Sequence, residues 1–223
     1  VWLKEKVGVS DTPPPPWTPI KVKGDHLSVW GREVSLGACG LPEKVQTQGI
    51  SILAGPIHFR AVSGGAEMNW KEQAREVVSQ TDAEVTWEGT SRSALGELSW
   101  RTKAEYDGFL LHDLSLTPVK DAAVELMELR IPIRGEIAQF YSLGARKRGA
   151  VPKGAGTLLG ADRYWWIGTD DVGFCGATEH DEALIEGADG AYSIVREPSG
   201  DVTVIYRFVA KQTALSETWK LRL

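Results

Sequence analysis

A pair of adjacent tryptophans and two acidic clusters are the residues of this chain best suited to chemistry. Tyr164-Trp-Trp166 is followed closely by Thr169-Asp-Asp171, and then by Thr178-Glu-His-Asp-Glu182. Flat indole rings stack on the apolar C–H faces of sugar rings, and polar groups beside them take hydrogen bonds from the hydroxyls. On that chemistry Trp165, Trp166, Asp170, Asp171, Glu179, His180 and Asp181 are the candidate carbohydrate-binding residues. In an extended strand Trp165 and Trp166 project to opposite faces, so at most one lines a concave surface while the other packs inside. By the same alternation Glu179 and Asp181 share one face, with His180 and Glu182 on the other. Two such carboxylates can serve acid and base chemistry at a glycosidic bond. They are far short of the roughly six to eight ligands that calcium takes. Each cluster also has a purely structural reading: Asp170-Asp171-Val-Gly173 as a hairpin turn supported by Asp side chains, and residues 179–182 as the surface end of a strand.

No other motif points to catalysis. His26, His58 and His112 are scattered without metal-ligand spacing, and there is no Gly-x-Ser-x-Gly elbow and no Cys-x-x-Cys. Lys153-Gly-Ala-Gly lacks the Gly-Lys-Ser/Thr ending of a nucleotide loop. Cys39 and Cys175 are too few for a disulfide framework, although a single bridge between them stays open. No catalytic residue, metal ligand or cofactor is assigned. The formal charge of −5 argues against nucleic acid as a partner, because phosphate binding needs a concentrated basic face and the only basic cluster is Arg146-Lys-Arg148. No apolar run approaches the roughly 20 residues of a membrane-spanning helix. With 42% hydrophobic and 25% charged residues the chain can bury a substantial core, and most of its nine tryptophans are expected there.

The elements that must position these groups read as short strands. Residues 10–20 carry four successive prolines, which lack amide donors and favour extended geometry, so residues 1–20 are expected to form a strap with a Pro-rich spacer. Residues 21–223 are expected to form a single β-sandwich domain. Turn residues recur at roughly the 8–12-residue spacing of sandwich folds, at Gly24-Asp25, Gly31, Gly37, Gly40, Gly49, Gly55-Pro56 and Gly64-Gly65. Between them lie β-rich runs such as Ile57-His-Phe-Arg-Ala-Val, Glu84-Val-Thr-Trp and Gly96-Glu-Leu-Ser-Trp-Arg. Phe109–Leu116 and Leu126–Ile133 read as long strands, with Pro132 marking an edge or a bulge. Trp70–Ser79 fits a helix and a strand equally well. Residues 144–161 are Gly-rich and aperiodic and are expected to form a long loop. The opening Val1-Trp-Leu-Lys-Glu-Lys-Val-Gly reads like the middle of a strand, as in a piece of a longer protein.

Five stretches in order carry a family resemblance: Pro-Pro-Trp-Thr-Pro-Ile-Lys-Val-Lys-Gly (15–24), Trp-Gly-Arg-Glu (30–33), Gly-Leu-Pro-Glu (40–43), Glu-Tyr-Asp-Gly (105–108) and Trp-Trp-Ile-Gly-Thr-Asp-Asp-Val-Gly-Phe (165–174). Together they resemble the β-sandwich domain preceding the catalytic barrel in glycoside-hydrolase-like proteins related to family 123. The resemblance implies an all-β fold, a large two-sheet antiparallel sandwich of the galactose-mutarotase-like class. It also implies a non-catalytic, carbohydrate-associated module, with poly- or oligosaccharide and a C-terminal catalytic barrel of the same parent protein as partners. A secreted or periplasmic location follows from the resemblance alone. Two other readings stand beside it: a saccharide-active enzyme using the Glu179/Asp181 cluster, and a structural packing domain with every tryptophan buried.

Overall fold

The structure, a computed structural model, describes residues 10–144, 147–160, 164–179 and 192–223. The described residues form strands and no helix. First come β1 (Lys21–Lys23), β2 (His26–Val29), β3 (Arg32–Leu36), β4 (Pro42–Thr47) and β5 (Ile50–Ser51), then the hairpin of β6 (His58–Ser63) and β7 (Ala66–Glu67). A meander of β8 (Lys71–Gln80), β9 (Glu84–Ser93), β10 (Gly96–Glu105) and β11 (Leu110–Pro118) follows. Next are β12 (Ala122–Val124), β13 (Leu126–Ile133), β14 (Phe140–Leu143), β15 (Lys147–Ala150), β16 (Gly156–Gly160), β17 (Tyr164–Gly168) and β18 (Gly173–Ala177). The chain closes with β19 (Tyr192–Arg196), β20 (Val202–Val209), β21 (Thr213–Leu215) and β22 (Trp219–Arg222).

In space these strands make a five-stranded sheet β1-β2-β3-β4-β5, a second five-stranded sheet β22-β11-β10-β9-β8 and a six-stranded sheet β16-β19-β20-β13-β6-β7. A four-stranded sheet β15-β14-β17-β18 and the pair β12-β21 complete the fold. Every named strand pairing is antiparallel. The fold is therefore all-β and antiparallel, as the turn spacing implies.

Side-chain alternation dictates the layers. On β10, Leu98, Trp100, Thr102 and Ala104 are buried, while Ser99 and Arg101 between them are exposed. Of residues 70–79, open to either reading, all but Trp70 are strand: β8 pairs with β9 over its whole length, with bulges between Glu72 and Ala74 and between Val77 and Ser79. The loop expected over 144–161 is a misreading. Lys147–Ala150 pairs with β14, and Gly156–Gly160 pairs with β19. Both are edge strands with one neighbour each, so they need no packed side chains on a second side, and their glycines hide the period-2 signal. Pro132 also departs from expectation, since β13 is central and its bulge lies at Met127/Glu128. Pairing of β6 to β13 ends at Arg130, and the Pro132 carbonyl accepts from Ala54 N at 3.0 Å on that side. Within a strand the nitrogen and carbonyl of one residue point the same way, so the donorless Pro132 nitrogen faces away from the β20 ladder.

The inner faces meet through aromatic rings. Trp219 of β22 stacks on Phe59 of β6 at 5.3 Å between centroids and packs on Phe208 of β20 at 5.0 Å, joining the β22-to-β8 sheet to the six-stranded sheet. The Pro-rich segment runs along this body, with Ala83 N donating to Asp11 O and Ile20 N donating to Asp82 O, while Ile20 is buried. On the outer face of the six-stranded sheet Glu128 is 1% exposed yet fully engaged. Its Oε1 accepts from Arg60 and Arg130, each at 3.1 Å, and its Oε2 from Arg207 at 3.4 Å. At the β2–β3 hairpin both Trp30 (φ 42°) and Gly31 (φ 77°) have left-handed backbone, the pattern of a type I′ turn. For a bulky residue such as Trp30 this conformation costs about 1–3 kcal/mol.

His112 is buried on β11, with Nδ1 3.0 Å from Thr102 Oγ1, and that hydroxyl donates to Gly40 O at 2.6 Å. Because the hydroxyl proton is committed to Gly40, the imidazole proton belongs on Nδ1. Burial drives the His112 pKa down to about 4, against a smaller opposing effect of the Gly40 backbone.

Two outcomes follow. Trp219→Ala removes the ring that bridges two sheets and should cost about 3–5 kcal/mol, read as a lower urea midpoint. For His112, an unfolded chain titrates near 6.5. Between about pH 6.5 and 4 the unfolded state takes up a proton that the folded state refuses, so stability is full above 6.5 and falls as the pH drops. The loss is complete near pH 4 and amounts to about 3 kcal/mol. Denaturation of the parent chain and of His112→Gln at pH 7 and pH 4.5 should show a markedly smaller pH dependence in the variant.

Candidate functional site

The β17–β18 hairpin sorts the candidate residues into different environments. Trp165 points inward: it is 3% exposed, its Nε1 donates to the Tyr206 hydroxyl, and Phe174 packs on it at 6.0 Å. Burial in turn pushes the Tyr206 phenol well above its ordinary pKa. Trp166 takes the opposite face, where it sits in a cross-strand row with Ser142 and Cys175. The next row on that face is Phe140, Gly168 and Gly173. A Cβ at Gly168 would lie 2.5 Å from Trp166 Cζ2, and one at Gly173 2.5 Å from Trp166 Nε1. The missing side chains thus let the indole lie against the backbone of both strands. Phe140, 40% exposed, adjoins it, and Tyr164, 54% exposed, stands two residues along on the same face. Arg148 lies opposite Ser142 on β15 and is exposed.

The hairpin tip carries Asp170 and Asp171, both exposed. The turn is not held by aspartate, as expected, but by Thr169, whose Oγ1 accepts from Asp171 N at 3.2 Å and from Val172 N at 3.1 Å. Among the described residues neither Asp170 nor Asp171 has a side-chain partner, so both carboxylates are available at the rim of the aromatic face. Phe140 is the member that sequence reasoning missed, because it comes from a separate strand and only the β14–β17 register brings it beside Trp166.

Glu179 lies at the other end of β18, a five-residue strand that spans about 17 Å at roughly 3.3 Å per residue. Its carboxylate is 3.6 Å from Arg222 Nη1, and its backbone N donates to Arg222 O. Arg222 also holds Asp113 through two contacts, at 2.5 and 3.0 Å. His180 and Asp181 lie outside the described residues. Glu179 is thus tied through Arg222 to a different feature, a trough of about 760 Å³ along the β22-to-β8 sheet, lined by Arg222, Ser99, Arg101, Ser115 and Lys220 among others. Several of its charges are matched across strands, with Arg101 on Glu88 at 2.9 Å and Arg222 on Asp113. Cys39 and Cys175 are free thiols. Burial raises the Cys39 thiol pKa to about 12, whereas Cys175 is exposed beside Trp166.

Residues 20–181 match the family described as glycoside hydrolase 123, third domain. The chain belongs to that family. The resemblance read from the sequence is therefore to the right family, and the matched unit is described as its third domain. No curated protein matches this glycoside hydrolase 123 domain. Among solved structures 40 chains match. One is an Escherichia coli K12 chain named for aldose 1-epimerase, 12% identical, with 92% of this chain and 96% of that chain covered and a TM-score of 0.45.

Gly173→Ala should lift the Trp166 indole off the sheet, since the added methyl falls where the ring lies. We expect a changed tryptophan emission and faster alkylation of Cys175 by a maleimide, with a stability loss of about 1–3 kcal/mol in urea.

Proposed function

We propose that this domain is a non-catalytic, carbohydrate-associated module of a multidomain glycoside hydrolase 123 protein. In this reading it supports or lines the substrate groove of a neighbouring catalytic barrel and meets saccharide with the Trp166 face. The observation that carries the reading is the indole of Trp166 laid on the Gly168–Gly173 pair, with Phe140 beside it and two unpartnered carboxylates at its rim. A sugar ring stacked there places its hydroxyls within reach of Asp170, Asp171 and Ser142. Aromatic stacking supplies most of the affinity, and the carboxylates orient the ring by accepting from hydroxyls. The alternative is an enzyme built on Glu179 and Asp181, which would need two carboxylates flanking one glycosidic bond; the Glu179 carboxylate lies 3.6 Å from Arg222 Nη1 at the far end of β18 from the Trp166 platform.

The test uses the exposed thiol beside the platform. Chitohexaose should slow maleimide labelling of Cys175 and shift tryptophan emission, and Trp166→Ala should weaken binding at least tenfold in a chain that stays folded at the assay temperature. Asp170→Asn with Asp171→Asn should weaken it severalfold. The 223-residue chain should release no product from aryl N-acetylhexosaminides. Turnover abolished by Glu179→Gln would replace this reading with the enzyme, and equal binding by Trp166→Ala would remove the platform from it.

A further inference from the structure

A second aromatic site forms where three separate segments converge, far along the chain from Trp166. The Pro-rich strap contributes Trp17, the β2–β3 hairpin contributes Trp30 and Arg32, and the β10–β11 hairpin contributes Tyr106 to Phe109. Trp17 packs on Trp30 at 5.7 Å and edge-on to Tyr106 at 5.6 Å. Trp30 is nevertheless 42% exposed, and Phe109 on the neighbouring tip is 52% exposed. The Arg32 guanidinium lies over the Trp30 ring at 5.8 Å. Its stem is fixed by Gly108, where a Cβ would meet Arg32 Cδ at 2.6 Å.

Two features of this site lack a structural reason. The first is Trp30 itself. A type I′ turn ending in glycine is best served by Asn or Asp at its first central position. This chain instead holds its largest side chain there, in left-handed backbone and half in water. Strain of that kind, once observed, points to a functional demand on the residue. The second is Arg32. Among the described residues its guanidinium forms no ion pair and no hydrogen bond, although almost every other arginine side chain described is tied to a carboxylate or a carbonyl. The one carboxylate on the adjoining tip, Asp107, accepts from Phe109 N at 2.9 Å through its Oδ1.

We propose that Trp30 and Arg32 form a second saccharide subsite selective for an acidic sugar residue, which stacks on Trp30 and places its carboxylate or sulfate on the Arg32 guanidinium. An exposed indole recognises the ring, and an unpaired planar fork of donors beside it recognises the anion in bidentate fashion. Neither group alone selects this ligand; their fixed proximity does. The site shares no residue with the Trp166 face and stands whether or not that face binds sugar.

The experiment is calorimetric titration of the 223-residue chain with pentagalacturonate, with a sulfated carrageenan hexasaccharide and with neutral cellohexaose. At least one anionic chain should bind ten times or more tighter than cellohexaose, and the pair of anionic probes distinguishes carboxylate from sulfate. Trp30→Asn suits the turn, so it should keep or raise the melting temperature while losing tenfold or more in affinity. Arg32→Gln should abolish the preference for the charged chain, and Trp166→Ala should leave anionic binding unchanged. Equal affinity for charged and neutral chains overturns the proposal, as does binding by Trp30→Asn and Arg32→Gln at the parental level, or loss of anionic binding in Trp166→Ala.

Discussion

The contact on which the rest of the molecule depends is the indole of Trp219, held between Phe59 and Phe208. An antiparallel sheet is stable only when one face is covered, and here the covering of two large sheets is mutual. β22 contributes four residues at the edge of its sheet, yet its tryptophan reaches the centre of the six-stranded one. Trp70 extends the same stack, lying 5.7 Å from Phe59. With the inner faces fixed in this way, the outer faces are free to carry charge. Glu128 and its three arginines, with Glu67 on Arg60 and Glu197 on Arg130, cover one of them, and the matched ion pairs of Glu88, Arg101, Asp113 and Arg222 cover the other. Each outer face is thus neutralised locally, which keeps broad sheet surfaces soluble without a strong field.

Glycine decides where the tryptophans go. Trp100 lies between Gly40 and Gly89, whose absent Cβ atoms would fall 2.3 and 2.2 Å from its ring. Trp165 rests against Gly176, where a Cβ would approach to 2.9 Å. These are buried indoles fitted into sheets whose opposite positions have been emptied. Trp166 uses the same device with Gly168 and Gly173, but on the solvent side. One packing rule therefore produces core in one case and a half-buried ring on the outer face in the other. The difference is only the parity of the strand position, since Trp165 and Trp166 are neighbours in sequence and on opposite faces of β17.

Parity is also why parts of the fold were legible in the sequence and others were not. β10, β11 and β13 alternate cleanly and are readable from residue types. β8 is an exposed edge strand whose two bulges each shift the alternation by one residue, so Lys71 to Ser79 mimics a helical pattern as well as a strand. β15 and β16 carry glycine where alternation would show. The opposition of Trp165 and Trp166 followed from period 2 alone, and which of them faces solvent required the sheet's partners. Phe140, Trp30 and Arg32 were beyond sequence reasoning for a different reason. Their significance lies in cross-strand register, in a positive φ and in a missing ion pair, and none of these leaves a local signature.

The distribution of unpaired charge separates the two aromatic surfaces chemically. In a chain of net charge −5, most of the described arginines are matched to a carboxylate or a carbonyl, and a surface ion pair contributes little beyond local neutrality. In the proposed reading, the unpaired groups beside the two exposed aromatic surfaces would carry the recognition. Beside Trp166 they are Asp170 and Asp171, acceptors for hydroxyl donors, with the exposed Arg148 opposite Ser142 in the same cross-strand row. Beside Trp30 the unpaired group is Arg32, a donor array that favours anions. Stacking on an indole discriminates poorly between sugars, because every pyranose has an apolar face. In the proposed reading the groups at each ring's edge would supply the selectivity, and Trp166 with its carboxylates and Trp30 with its guanidinium would engage different saccharides, or different residues of one mixed polymer, without competing.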